Sequence, residues 1–297
     1  MDAYVDQNFL INCINRNGWR ATVTNALASG GVRLIVSPWT IFEIGKATPS
    51  HMEELLSIVE EFKPSWILER ADLQLREFVV AWNDFWNGKR SRFSPIGTLA
   101  EAQASFLRCP LEHVETYSPR EYADIWKRPE ASREAGVEFR RQASISAFNR
   151  IAFAGGMLTP KSIREIRVRY VARQFVVARG VGQPHHLIQQ EENLILNDSR
   201  LRTFIGFFVE FGGMDGMLAH RVEESLTFHQ WKSSAKLNPR RQLDRFHATS
   251  ALPYCDLFVT SDAELIKKSQ AIRDEVEFKV ATVLSGENFI ACLEKYS

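Results

Sequence analysis

DRFHATSALPYCDLFVTSDAEL, residues 244–265, holds a helix, an apolar strand and the start of a second helix in one run. The first helix opens at Asn238 and Pro239, the strand is DLFVT (256–260), and the next helix starts from SDAEL. A helix–strand–helix alternation implies a parallel sheet flanked by helices. The beginning of the chain has the same rhythm. It reads as a strand AYVD, a helical stretch over 8–29, a strand VRLIVS (32–37) and a helix opened by SPW, where Ser37 suits the N-cap and Pro38 the first helical position. A further strand near 276–281 and a closing helix from SGENF complete the C-terminal end. The expected fold class is therefore α/β, with residues 1–60 and 232–297 forming one discontinuous core. Between them, residues 61–231 show helical periodicity almost throughout, as in LQLREFVVAWNDFW and SIREIRVRYVARQFVVARG, and read as a large all-helical insertion.

The composition sets the class. A chain of 297 residues with 45% hydrophobic and 25% charged residues buries a sizeable core, which excludes wholesale disorder. Four cysteines without a CxxC pair make neither a disulfide framework nor a zinc site, so a reducing, cytoplasmic setting is expected. No apolar run approaches the roughly eighteen residues of a membrane span, and MDAYVDQ lacks the features of a signal peptide. The net charge of +1 conceals two basic clusters. Lys161, Arg164, Arg167, Arg169, Arg173 and Arg179 lie on one helical stretch, with Arg169 and Arg173 on a common face; Lys232, Lys236, Arg240, Arg241 and Arg245 surround Asp244. Both suit a polyanionic partner, and both also read as solvated faces.

Four acids stand where chemistry is expected. Asp6 ends the first strand, Glu43 lies six residues after Ser37, Asp244 sits in the helix after Pro239, and Asp262 follows the strand 256–260. Ligands of open parallel sheets bind beyond the carboxyl ends of the strands, so these acids are expected to converge. Converging carboxylates repel one another unless cations neutralise them, and all-oxygen donors favour Mg or Mn. Plainer roles compete at several positions. Asn8 fits a helix N-cap, Thr260 a β-branched strand residue, Asp256 a turn, and Ser261 with Glu264 a capping box. His247, three residues after Asp244 on the same helical face, is a candidate to support the metal ligands from behind, and it also reads as a satisfied helix histidine.

YVDQN at residues 4–8, VSPWTIFEIGK at 36–46 and the stretch 244–265 resemble, in that order, the three signature blocks of the PIN-domain nucleases. The resemblance pairs Asp6 with Asn8, Glu43 with Ser37, Asp244 with Ala248 and Ala251, and Asp262 with Thr260. It implies a metal-dependent endoribonuclease in which Asp6, Glu43, Asp244 and Asp262 hold Mg or Mn, with Asn8, Ser37 and Thr260 in support. Lys236, Arg240, Arg241, Arg169 and Arg173 would then contact RNA. DNA as substrate, an inhibitory protein partner as in toxin members of the family, and homo-oligomerisation stay open, and no membrane partner is expected. The alternative is a catalytically silent module of the same fold that binds nucleic acid or protein.

Overall fold

The structure is a computed structural model that describes residues 1–88, 92–107, 117–125, 159, 161–165, 172, 198–211, 217–232, 239–275 and 278–295; for 105–107, 125, 229–232, 239–244 and 275 it describes the backbone alone. The chain forms two compact units, one of Met1–Glu69, Pro95–Ser144 and Leu237–Ser297, the other of Arg70–Ser94 and Ile145–Lys236.

The first unit starts with strand β1 (Asp2–Val5) and helix α1 (Gln7–Asn15), whose N-cap is Asp6, not Asn8. The helical stretch expected over 8–29 consists of two helices. Gly18, at φ +84°, turns the chain in a left-handed conformation that costs glycine nothing, and α2 (Trp19–Ala28) follows. Strand β2 (Arg33–Val36) leads into α3 (Pro38–Ile44) through Ser37 and Pro38 as expected; the Ser37 N–H donates to Thr40 Oγ1 at 3.4 Å. Helix α4 (Pro49–Phe62) ends at Lys63, which adopts φ +45°.

The stretch expected to be all-helical then departs from that reading, because it adds two strands to the sheet. β3 (Ser65–Ile67) pairs parallel with β2; after α5 (Arg70–Asn87), β4 (Ile96–Gly97) pairs antiparallel with β3. At three and two residues, these strands are too short to show a period of two against their helical surroundings. Helices α6 (Leu99–Leu107) and α7 (Pro119–Ile125) follow, and α8 (Ser199–Phe211) and α9 (Leu218–Lys232) come later in the chain. The C-terminal end consists of α10 (Pro239–Ala251), β5 (Leu257–Val259), α11 (Ala263–Glu275), β6 (Thr282–Leu284) and α12 (Gly286–Leu293). The last strand lies just beyond the 276–281 stretch where it was expected.

The sheet has the order β4-β3-β2-β1-β5-β6, parallel except for β4. β1 is central: Ala3 lies opposite Leu34 on one side and Leu257 on the other, and Ala3, Tyr4 and Val5 are all fully buried. A strand buried on both faces is apolar without alternation, which is why AYV reads as a run. Over the sheet, Phe9 packs edge-on against Phe289 with ring centroids 5.4 Å apart, and Trp39 lies 4.9 Å from Phe246.

The second unit has its own apolar core, including Phe78, Trp82, Phe204 and Phe208. It also buries charge. Arg70 pairs with Glu223 at 3.1 Å, both almost fully buried, and Glu77 accepts the N–H groups of Ala219 and His220 at the start of α9. The two described cations of the first basic cluster are ion-paired within this unit: Lys161 with Glu210, and Arg164 in a two-pronged pair with Glu224 at 2.9 and 3.0 Å.

Candidate functional site

The strand order places the site. From β1 the chain moves outward through β2, β3 and β4, then returns to the opposite side of β1 for β5 and β6. The order therefore reverses between β1 and β5, and in open α/β sheets this reversal opens the crevice in which ligands bind. Asp6 is the first residue after β1, Thr260 the first after β5, and Asp262 follows two positions later.

Asp6 answers in two ways to its position at a strand end. It caps α1, its Oδ1 accepting the Phe9 N–H at 2.9 Å, and it is also a buried acid at the switch point. Burial pushes its carboxyl up to about 6, with the Glu43 charge adding to the rise; the Phe9 N–H, the Thr260 hydroxyl and His247 pull the other way but do not cancel it. Thr260 is buried and also accepts the Asp262 N–H at 3.2 Å, so its hydroxyl ties the two aspartates to one strand end. Asp262 is half-buried and caps α11, accepting the Leu265 N–H at 2.8 Å. The N-cap is thus Asp262 and not Ser261, and Glu264 pairs with Lys268 at 2.7 Å.

Glu43 reaches the same edge from α3, and its partner is His247 of α10, whose Nε2 lies 3.2 Å from Glu43 Oε2. His247 is buried, and its Nδ1 meets the Tyr4 hydroxyl and, at 3.4 Å, Ser37 Oγ. Tyr4 and Ser37 are themselves bonded at 2.7 Å. With the imidazole neutral and Glu43 a carboxylate, one consistent order of donors is Nε2–H to Glu43, the Tyr4 hydroxyl to Nδ1 and the Ser37 hydroxyl to the Tyr4 oxygen. Burial holds the Tyr4 phenol far above its ordinary range and keeps its proton in place for this chain.

Of the residues singled out from the sequence, the structure thus brings Asp6, Glu43, Asp262, Ser37 and Thr260 to the carboxyl edge of the sheet. Asn8 is exposed in the first turn of α1. Asp244 lies on α10, one turn before His247, and its side chain lies outside the described residues, as do the side chains of Arg240 and Arg241 and the whole of Lys236, Arg169 and Arg173. Arg245 is buried and is not part of a surface cluster. Asp256 works at the opposite end of the strands, accepting the Asp2 N–H at 2.9 Å and Lys279 Nζ at 2.8 Å, which hold its carboxyl below the usual range.

Tyr4 carries more than its sequence reading suggested. Tyr4 reads as one more apolar strand residue, and its only signal is that a buried tyrosine needs a hydroxyl partner. His247 is satisfied, as expected for a helix histidine, but by a site carboxylate.

The donor set suits a hard divalent cation: the acids offer only oxygen, and Asp6 holds a charge at the switch point against the cost of its burial. Among the described residues no three acidic, histidine or cysteine side chains are grouped closely enough to hold a metal ion by themselves. Among the same residues, no helix is long and apolar enough to cross a membrane. Compared with family models, curated proteins and solved structures, the chain matches none.

Proposed function

We propose that this protein is a Mg- or Mn-dependent nuclease that hydrolyses phosphodiester bonds of RNA. The observation that carries the reading is the buried Asp6 carboxyl, pushed up to about 6 beside Glu43 at the reversal of strand order. A protein that needed only a helix cap there would do as well with an uncharged Ser or Asn. The resemblance of the three sequence blocks to PIN-domain nucleases supports the same reaction class.

In this reading Asp6, Glu43, Asp244 and Asp262 hold the cation, Asp244 completing a set that the other three do not close. When bound, the ion supplies an activated water and neutralises charge developing at phosphorus. The chain's own part is positional. Thr260 fixes Asp6 and the loop to Asp262, and the first turns of α1 and α11 orient those two acids through the Phe9 and Leu265 N–H groups. Lys236, Arg240 and Arg241 contact the phosphate backbone on the approach to Asp244.

A second reading is favoured by the caps: Asp6 and Asp262 already accept backbone N–H groups, and a silent binding module of this fold would keep both for stability. One experiment separates the two. The purified protein, incubated with mixed RNA and DNA, should cleave RNA with Mn or Mg and not with EDTA. Mn should also raise its thermal stability, since a ligand of the folded state alone stabilises it. Wild-type cleavage by the double variant Asp6→Asn, Asp262→Asn would overturn the nuclease reading, and nucleic-acid binding without any cleavage would favour the module.

A further inference from the structure

The buried chain Ser37–Tyr4–His247–Glu43 has a direction, with its hydroxyl end in the core and its carboxylate end at the crevice edge. Tyr4 and Ser37 are fully buried, His247 nearly so, and the Glu43 side chain is 19% exposed. The four residues come from β1, the β2–α3 junction, α3 and α10. A histidine needed only to fill this space would be served at least as well by an apolar side chain, because burying polar groups has to be offset bond by bond. Glu43, by contrast, has a long side chain that would otherwise sample several rotamers.

We infer that His247 is the positioning residue of the site: its Nε2–H, aimed by the Tyr4 and Ser37 hydroxyls behind the ring, fixes Glu43 Oε2 and leaves Oε1 as the donor for the cation. The inference rests on the metal-dependent reading above. It assigns Tyr4 and Ser37 a shared task, that of holding Nδ1 as an acceptor so that the ring proton stays on Nε2. Outer partners of metal-binding carboxylates and imidazoles act in this way, and their loss commonly weakens metal binding without unfolding the protein.

The test measures Mn affinity of the full chain by electron paramagnetic resonance titration, together with RNA cleavage as a function of Mn. His247→Ala should weaken Mn binding by about 10- to 100-fold, moving the Mn concentration for half-maximal cleavage by the same factor. His247→Gln, whose side-chain amide can donate near the position of Nε2, should restore most of the affinity. Tyr4→Phe should give an intermediate loss. If wild type binds Mn and His247→Ala binds it equally well, the inference falls and the metal reading stands; if wild type binds no Mn, both fall. Equal losses in His247→Ala and His247→Gln would also overturn it, since a merely structural ring would show no rescue. A measurement that needs no folded variant is the two-bond proton–nitrogen spectrum of the metal-free wild type, in which the His247 ring should carry its proton on Nε2. A ring protonated on Nδ1 alone would overturn the inference.

Discussion

Asp6→Asn should make the metal-free protein more stable at neutral pH while destroying its metal site. The Asp6 carboxyl titrates at about 6 in the fold against an ordinary 3.8, a difference equivalent to about 3 kcal/mol. The sign follows from proton counts. Between these two values the unfolded chain has released the Asp6 proton and the folded chain has kept it, so stability falls as pH rises across the interval. The penalty is absent below about 3.8 and complete above about 6. Asn removes the charge, keeps an oxygen to accept the Phe9 N–H and meets the Thr260 hydroxyl, which both donates and accepts. Urea unfolding in EDTA at pH 7.5 should therefore show the variant more stable by up to about 3 kcal/mol, with the difference shrinking towards pH 4. With Mn added the order should reverse, because wild type alone gains the binding energy. A variant that is less stable than wild type in EDTA at pH 7.5 would refute the reasoning: the Asp6 charge would then be compensated within the fold, and there would be no unmet demand for a cation.

Three further outcomes are expected. Gly286→Ala places a methyl group 2.8 Å from the Trp19 ring at the start of α12, and overpacking of this kind should cost about 1–3 kcal/mol in thermal or urea unfolding. Arg70→Met removes the buried cation that Glu223 meets at 3.1 Å in the second unit, and breaking a buried pair of this kind should destabilise by about 3–5 kcal/mol in urea unfolding. Lys236, Arg240 and Arg241 changed together to Ala should weaken RNA binding for all sequences alike and reduce the slope of log affinity against log salt by about 2, measured by fluorescence anisotropy. An unchanged slope would return these residues to the solvated face.

How far the sequence could be read depended on the length scale of each signal. The succession of the apolar runs AYVD, VRLIVS and DLFVT with helical stretches, with Ser37 and Pro38 to start α3, is local chemistry and was legible, as was the parallel sheet that it implies. Strands of two or three residues were not: SWI and IG show no alternation, and pairing, not propensity, makes them strands. The break at Gly18 is masked by apolar periodicity on both of its sides. In the site, Asp6 and Asp262 were conspicuous because each follows an apolar strand. The link from Tyr4 to His247 was not, since 243 positions separate them in sequence and neither type is unusual in its own element.

The reversal of strand order also sets a timetable. β1 leaves the ribosome long before β5, yet its Asp2 is hydrogen-bonded to Asp256, 254 residues later. At typical synthesis rates of about 5–20 residues per second, the β5-facing edge of β1 waits roughly 13–50 s for its partner. Meanwhile β2 and β3 can pair on the other side, but Asp6 has no Thr260 and Glu43 no His247. A nascent chain therefore carries an open strand edge and an incomplete crevice until α10 and β5 have been made, and a chain stopped before α10 is prone to associate through that edge and unable to assemble the site.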